Sequence, residues 1–164
     1  MQINHINNVD FAKRLQTLEG EVPLNALQRL NTLLTMDAIN DQSKIAFKLV
    51  GQAQRHQQPS LHLQIESLLP MQCQRCLEPF HVPIHLDFDY VISPDVQESL
   101  DDSDDVDWVE ASVDMDVQAL IEDELLIALP IAPLHAFPCK QLKLETGEKI
   151  NPFSVLKSLK ETDL

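Results

Sequence analysis

Between His81 and Ile92 the chain alternates without a break. Val82, Ile84, Leu86, Phe88, Tyr90 and Ile92 take every second position, and His81, Pro83, His85, Asp87, Asp89 and Val91 stand between them. A period of two is the period of a pleated strand, which sends successive side chains to opposite faces. One face is apolar and the other wet, the pattern of an antiparallel sheet resting one side on a core. Pro83 cannot donate to a ladder, so it places this part of the strand at an edge or at a beginning.

Two earlier segments, Lys44–Gln54 and Ser60–Leu69, read as further strands, joined by a polar turn around Gln57-Gln58-Pro59. Cys73–Phe80 is then the connection between two paired strands. Helical spacing governs both flanks. Val9–Leu15 reads as a short helix that Gly20 ends, and Pro23–Leu34 as a second, with leucines at 24, 27, 30 and 34. A third starts at Asp114 or Asp116, either of which can cap it, and carries Val117, Leu120, Ile121, Leu125 and Ala128 in one stripe. Leu126, Ile127 and Leu129 widen that stripe, so its second half is expected to be well buried. Pro130 stops it. A last helical patch covers Pro152–Lys160. Helices, then strands, then helices, without βαβ alternation, predict an α+β fold. It is an antiparallel sheet over about residues 43–92, packed by the helix near 116–129, with the N-terminal helices flanking. Residues 1–164 are read as a single domain.

Charge divides the chain in three. Residues 76–139 hold sixteen Asp/Glu and no Lys or Arg, while residues 1–75 and 140–164 each carry a slight positive excess. Six of the acids are aspartates within Asp95–Asp107, where apolar residues are few; a mobile acidic loop near 95–110 is expected there. Binding to duplex nucleic acid through phosphates needs clustered Lys/Arg, which this chain lacks as a bulk property. The opening residues, Met1–Leu15, have no secretory pattern, and the longest apolar run, Leu125–Leu134, is too short for a bilayer. A soluble, cytoplasmic protein with no membrane contact is expected, and three cysteines in such a chain argue against a disulfide framework.

Cys73-x2-Cys76 and His135-x3-Cys139 form two pairs of potential metal ligands. Zinc favours four such donors in a tetrahedron, and C-x2-C presents two thiolates to one ion. A proline-stiffened exit from the third helix could aim His135 and Cys139 inward, giving a structural zinc site within a small zinc-ribbon-like element. The other reading has three reduced cysteines without metal, with His135 near the helix C-terminus. A thioredoxin-like dithiol fits poorly, because Pro79 and a strand follow the C-x-x-C.

Three segments resemble the YceD family, the large ribosomal RNA subunit accumulation proteins of bacteria and plastids. They are Cys73-Gln74-Arg75-Cys76-Leu77-Glu78-Pro79-Phe80, then Glu122-Asp123-Glu124-Leu125 running into Ala128-Leu129-Pro130-Ile131-Ala132-Pro133-Leu134-His135 and Cys139, then Asn151–Lys160. The resemblance covers about Ser43 to Lys160. It implies a non-enzymatic accessory factor in biogenesis of the large ribosomal subunit, supporting accumulation of its 23S rRNA. A structural zinc adaptor and a subunit of an rRNA-processing enzyme are the alternatives.

With only three glycines there is no P-loop or dinucleotide fingerprint, and neither G-x-S-x-G nor H-E-x-x-H occurs. Carboxylates abound without a recognisable metal spacing, so the two-metal route of an RNA-processing enzyme has no motif behind it. Glu122, Asp123 and Glu124 are read as a helix face that either stays solvated or contacts a basic partner, and the resemblance, which includes these acids, favours contact. Arg75, between the two cysteines, is a candidate phosphate contact. Lys157 and Lys160 lie in a lysine-bearing C-terminus and are candidates for touching rRNA. The expected partners are a large-subunit precursor, reached through a basic ribosomal protein or assembly factor, and the rRNA itself.

Overall fold

The computed structural model describes residues 5–34, 44–55, 58–94 and 107–139. Its centre is an antiparallel hairpin of β4 (Gln58–Gln72) and β5 (Pro79–Ser93). The register follows the two-residue pattern of both strands. Leu61, Leu63, Ile65 and Leu69 sit opposite Tyr90, Phe88, Leu86 and Val82, while His62, Gln64 and Glu66 face Asp89, Asp87 and His85. A slip of one residue would turn every apolar side chain to water, so the pairing is strongly specified.

β3 (Lys44–Arg55) adds antiparallel on the far side of β4, and β2 (Thr17–Pro23) adds antiparallel to β3. β6 (Asp107–Glu110) pairs in parallel with the last four residues of β5, giving a five-stranded sheet in the order β2-β3-β4-β5-β6. The fold is α+β as the sequence predicts, but the sheet is mixed, not purely antiparallel. Pro83 falls in the stretch of β5 that β6 does not reach, where its missing N–H breaks no β5–β6 bond. A second, two-stranded sheet pairs β1 (His5–Ile6) with β7 (Met115–Asp116).

The helices pack over the apolar face. Phe11 and Ala12 of α1 (Asn8–Lys13) and Val117, Ile121 and Leu125 of α3 (Val117–Ala128) join Ile45, Phe47, Leu49, Leu61, Leu63, Ile65 and Leu69 in one core. Each of the fully buried leucines and isoleucines contributes roughly 1.5–3 kcal/mol relative to exposure. Asn7 caps α1, its side chain accepting from Asp10 N–H at 3.0 Å. Asn8 is buried and stitches α1 to the end of β6 and the chain just after it. Its Nδ2 donates to Glu110 O at 2.8 Å, and its Oδ1 accepts from Ser112 N–H at 2.9 Å. Asp116 caps α3, accepting from the N–H groups of Gln118 and Ala119.

Four expectations need correction. Gly20 does not end a helix. It lies inside β2 opposite Phe47, and α1 ends earlier, at a left-handed Leu15 (φ 53°). Pro23–Leu34 is not one helix but a 3₁₀ turn, Leu24–Ala26, followed by the single-turn α2, Gln28–Asn31. Leu24, Leu27 and Leu30 recur every third residue, which suits three residues per turn as well as 3.6, and all three are buried. Ile127 is 79% exposed, so the second half of α3 is not buried all round. Of the segment near 95–110 expected to be a mobile loop, Asp107–Glu110 form β6, and 95–106 lie outside the described residues. The C-terminal patch with Lys157 and Lys160 also lies outside them. Among the described residues no helix is long and apolar enough to cross a membrane.

Candidate metal centre

β4 and β5 pair as far as Gln72 and Pro79, leaving Cys73–Glu78 as the tip of the hairpin. The tip closes on itself. Leu77 N–H donates to Cys73 O at 2.8 Å, and Cys73 N–H donates to Glu78 O at 3.0 Å. Turning so tightly puts Leu77 in the left-handed region (φ 62°), a conformation that glycine adopts more readily. The turn leaves Cys73 and Cys76 side by side and buried.

The second pair arrives on a strap that leaves α3 at Leu129 and runs back along the hairpin. Pro130 breaks the helix by lacking a donor. Pro133 is buried, and its carbonyl accepts Gln74 N–H at 2.9 Å, which fastens the strap to the tip. His135 is then held between Phe80 and Phe137, with ring centroids 4.6 and 4.8 Å away. An open apolar groove of about 640 Å³ borders the strap, lined in part by Phe80, Val82, Pro83, Leu134 and Phe137.

Cys73, Cys76, His135 and Cys139 converge, and one ligand atom from each lies within 4.8 Å of the others. Cys73 Sγ is 3.7 Å from Cys139 Sγ, and Cys76 Sγ is 3.5 Å from His135 Nδ1. A tetrahedral zinc ion with the usual bond lengths implies a sulphur–sulphur edge of about 3.8 Å and a sulphur–nitrogen edge of about 3.5–3.6 Å. These two of the six edges fit. Soft thiolates with one imidazole are also the donor set zinc takes in closed structural sites.

The thiols are polarised in opposite directions. Burial pushes the Cys73 thiol up, but the backbone N–H groups of His135, Cys76 and Arg75 outweigh it and bring its pKa down to about 5. Burial pushes the Cys76 thiol up to about 11, reinforced by the sulphurs of Cys139 and Cys73. Such a pair holds one ready thiolate and one thiol that a metal would have to deprotonate.

Arg75 does not extend from the tip. Its Nε donates to Cys139 Sγ at 2.9 Å, and its Nη2 donates to Phe137 O at 2.9 Å and to His135 O at 3.3 Å. The hydrogen bond to Cys139 is the leading cause of a guanidinium pKa above its ordinary value. Its position between the cysteines is plain in the sequence, but its direction is not. The available signal is that residues 76–139 contain no other Lys or Arg to neutralise the cluster.

The acidic triplet of α3 is engaged within the protein. Glu122 is buried, its carboxylate accepting from the backbone N–H groups of Arg29 and Leu30 and from the Arg29 guanidinium. Asp123 also pairs with Arg29. Glu124 accepts from Tyr90 Oη at 2.7 Å. Three consecutive helix positions point about 100° apart, which is how one triplet reaches α2, solvent and the sheet.

A family model described as "Large ribosomal RNA subunit accumulation protein YceD" matches residues 61–160, a span that includes all four ligand positions. The chain belongs to the YceD family. A relative from Haemophilus influenzae named "Large ribosomal RNA subunit accumulation protein YceD" is 26% identical over 172 residues, covering 95% of this chain and 94% of its own length. No solved structure matches.

Proposed function

We propose that this YceD-family chain is a non-enzymatic accessory factor of large-subunit biogenesis in the cytoplasm, and that it sustains accumulation of large-subunit rRNA. A zinc ion held by Cys73, Cys76, His135 and Cys139 would clamp the strap to the hairpin tip as a structural element. The observation that carries the reading is the family match, which brackets the four converging ligands. When bound, the metal supplies cross-linking free energy between two segments far apart in sequence. Four protein donors fill a tetrahedron and leave no open position for substrate, which favours a structural site over a catalytic one.

The charge map supports a protein partner. Sixteen Asp/Glu and no Lys or Arg in residues 76–139 repel a polyanion and attract a basic ribosomal protein or assembly factor. Contact of the C-terminal lysines with rRNA would be the smaller component.

The test is genetic and chemical together. A strain lacking the gene should show a lowered ratio of large- to small-subunit rRNA, restored by the wild-type chain and not by Cys73→Ser/Cys76→Ser. Purified, reduced protein should contain about one zinc per chain. An unchanged rRNA ratio in the deletion strain would remove the biogenesis role. Cleavage of precursor rRNA by the purified protein with Mg²⁺ would replace the accessory reading with an enzymatic one.

A further inference from the structure

We infer that Arg75 is the positioning residue of the metal centre, setting Cys139 and the strap backbone in place for the ion. The inference rests on the zinc reading above and concerns a residue outside the ligand set.

The argument starts with anchorage. Cys73 and Cys76 are fixed by the hairpin tip, whose own backbone bonds hold it. His135 is fixed by Pro133 and by two aromatic rings. Cys139 is half-buried and lies beyond Pro138, with no helix or strand among the described residues of the strap. The Arg75 guanidinium reaches it. One planar group addresses the Cys139 sulphur and the carbonyls of His135 and Phe137. Those three acceptors belong to the segment that must curl for His135 and Cys139 to face one ion. Only a fork with several donors in fixed directions can satisfy them together.

Electrostatics point the same way. Three thiolates, a neutral imidazole and Zn²⁺ leave one negative charge in excess. Arg75 supplies the compensating positive charge in contact with the least buried sulphur. A hydrogen bond donated to a metal-bound thiolate also orients its lone pairs, as partners behind the ligands do in metal sites generally. A guanidinium committed to these three bonds keeps only the N–H groups of Nη1 to offer a phosphate.

The test follows transfer of zinc to a chromophoric chelator from wild type, Arg75→Gln, Arg75→Lys and Cys139→Ser, with circular dichroism confirming that each is folded. Arg75→Gln should weaken retention roughly 10–100-fold. Arg75→Lys, which restores the charge but not the fork, should fall between. In cobalt-substituted protein, the sulphur-to-metal absorption of Arg75→Gln should drop toward that of Cys139→Ser, a signature that a general loss of stability would not give. Wild-type retention and spectrum in both Arg75 variants would overturn this inference and leave the zinc reading intact. Failure of the wild-type chain to take up either zinc or cobalt would overturn both.

Discussion

Glu122 Oε1 accepts the backbone N–H of Arg29 at 2.8 Å, and Glu122 Oε2 accepts the Nε of the same residue at 2.9 Å. A carboxylate in one helix thus serves the first turn of another, ninety-three residues away. α2 is a single turn with no side-chain cap of its own, so without Glu122 its leading N–H groups would be buried unpaired.

Glu122→Ala should therefore cost about 2–4 kcal/mol in denaturant unfolding, since each orphaned buried donor costs about 1–3 kcal/mol. Asp123→Asn, at an exposed position beside the same arginine, should cost under about 1 kcal/mol. Equal losses in the two variants would contradict the cap.

Gly51 is the point where α1 rests on β3. A Cβ there would stand 2.5 Å from Phe11 O and 2.8 Å from Ala12 Cα, both backbone atoms that no rotamer change can move. Gly51→Ala should destabilise by about 1–3 kcal/mol, the usual cost of overpacking. Chemical shifts should move along α1. A neutral substitution would mean that α1 sits farther from the sheet than described.

Tyr90 is the chain's single tyrosine, and both burial and the neighbouring Glu124 carboxylate raise its pKa. The folded state therefore disfavours the phenolate. The stability that follows from this is complete below the unfolded tyrosine pKa of roughly 10 and is lost as pH rises beyond it. Phenolate absorbance should appear only together with unfolding, and Tyr90→Phe should remove that part of the alkaline slope. Reversible ionisation of Tyr90 near its ordinary value, with the fold intact, would refute the burial argument.

Metal uptake should depend on pH in a definite sense. Cys76, held up to about 11, must release a proton on binding, whereas Cys73 at about 5 has already done so. Apparent zinc affinity should rise between about pH 6 and 8, with about one proton or more released per ion in weakly buffered calorimetry. A flat profile would show that the four thiol and imidazole donors are not the ligands.

What was legible in the sequence and what was not divides along physical lines. β5 could be read because its period is unbroken, and the convergence of the cysteine pairs could be read because C-x2-C and H-x3-C are spacings that suit metal ligands. β2 was missed: Leu18, Gly20 and Val22 alternate with Glu19 and Glu21, but the glycine in the middle reads as a stop. β6 is four residues paired in parallel, too short to have a pattern, and its existence follows from β5 offering an edge. Arg75, Glu122 and Glu124 were all visible as charged residues. Their orientation depends on tertiary partners at Cys139, Arg29 and Tyr90, which no local pattern specifies.

The separation of the two ligand pairs along the chain has a consequence in time. Cys73 and Cys76 leave the ribosome with the β4–β5 turn, but the site cannot close until His135 and Cys139 follow. At roughly 5–20 residues per second, about 60 further residues take about 3–12 s. During that interval β5 can zip onto β4 while the two thiols of the hairpin tip wait for the other half of the cluster. The β1–β7 ladder likewise joins the first described residues to a stretch made more than a hundred residues later. Both closures thus wait on segments made after the hairpin, so the hairpin must stand on its own pairing before the strap can reach it.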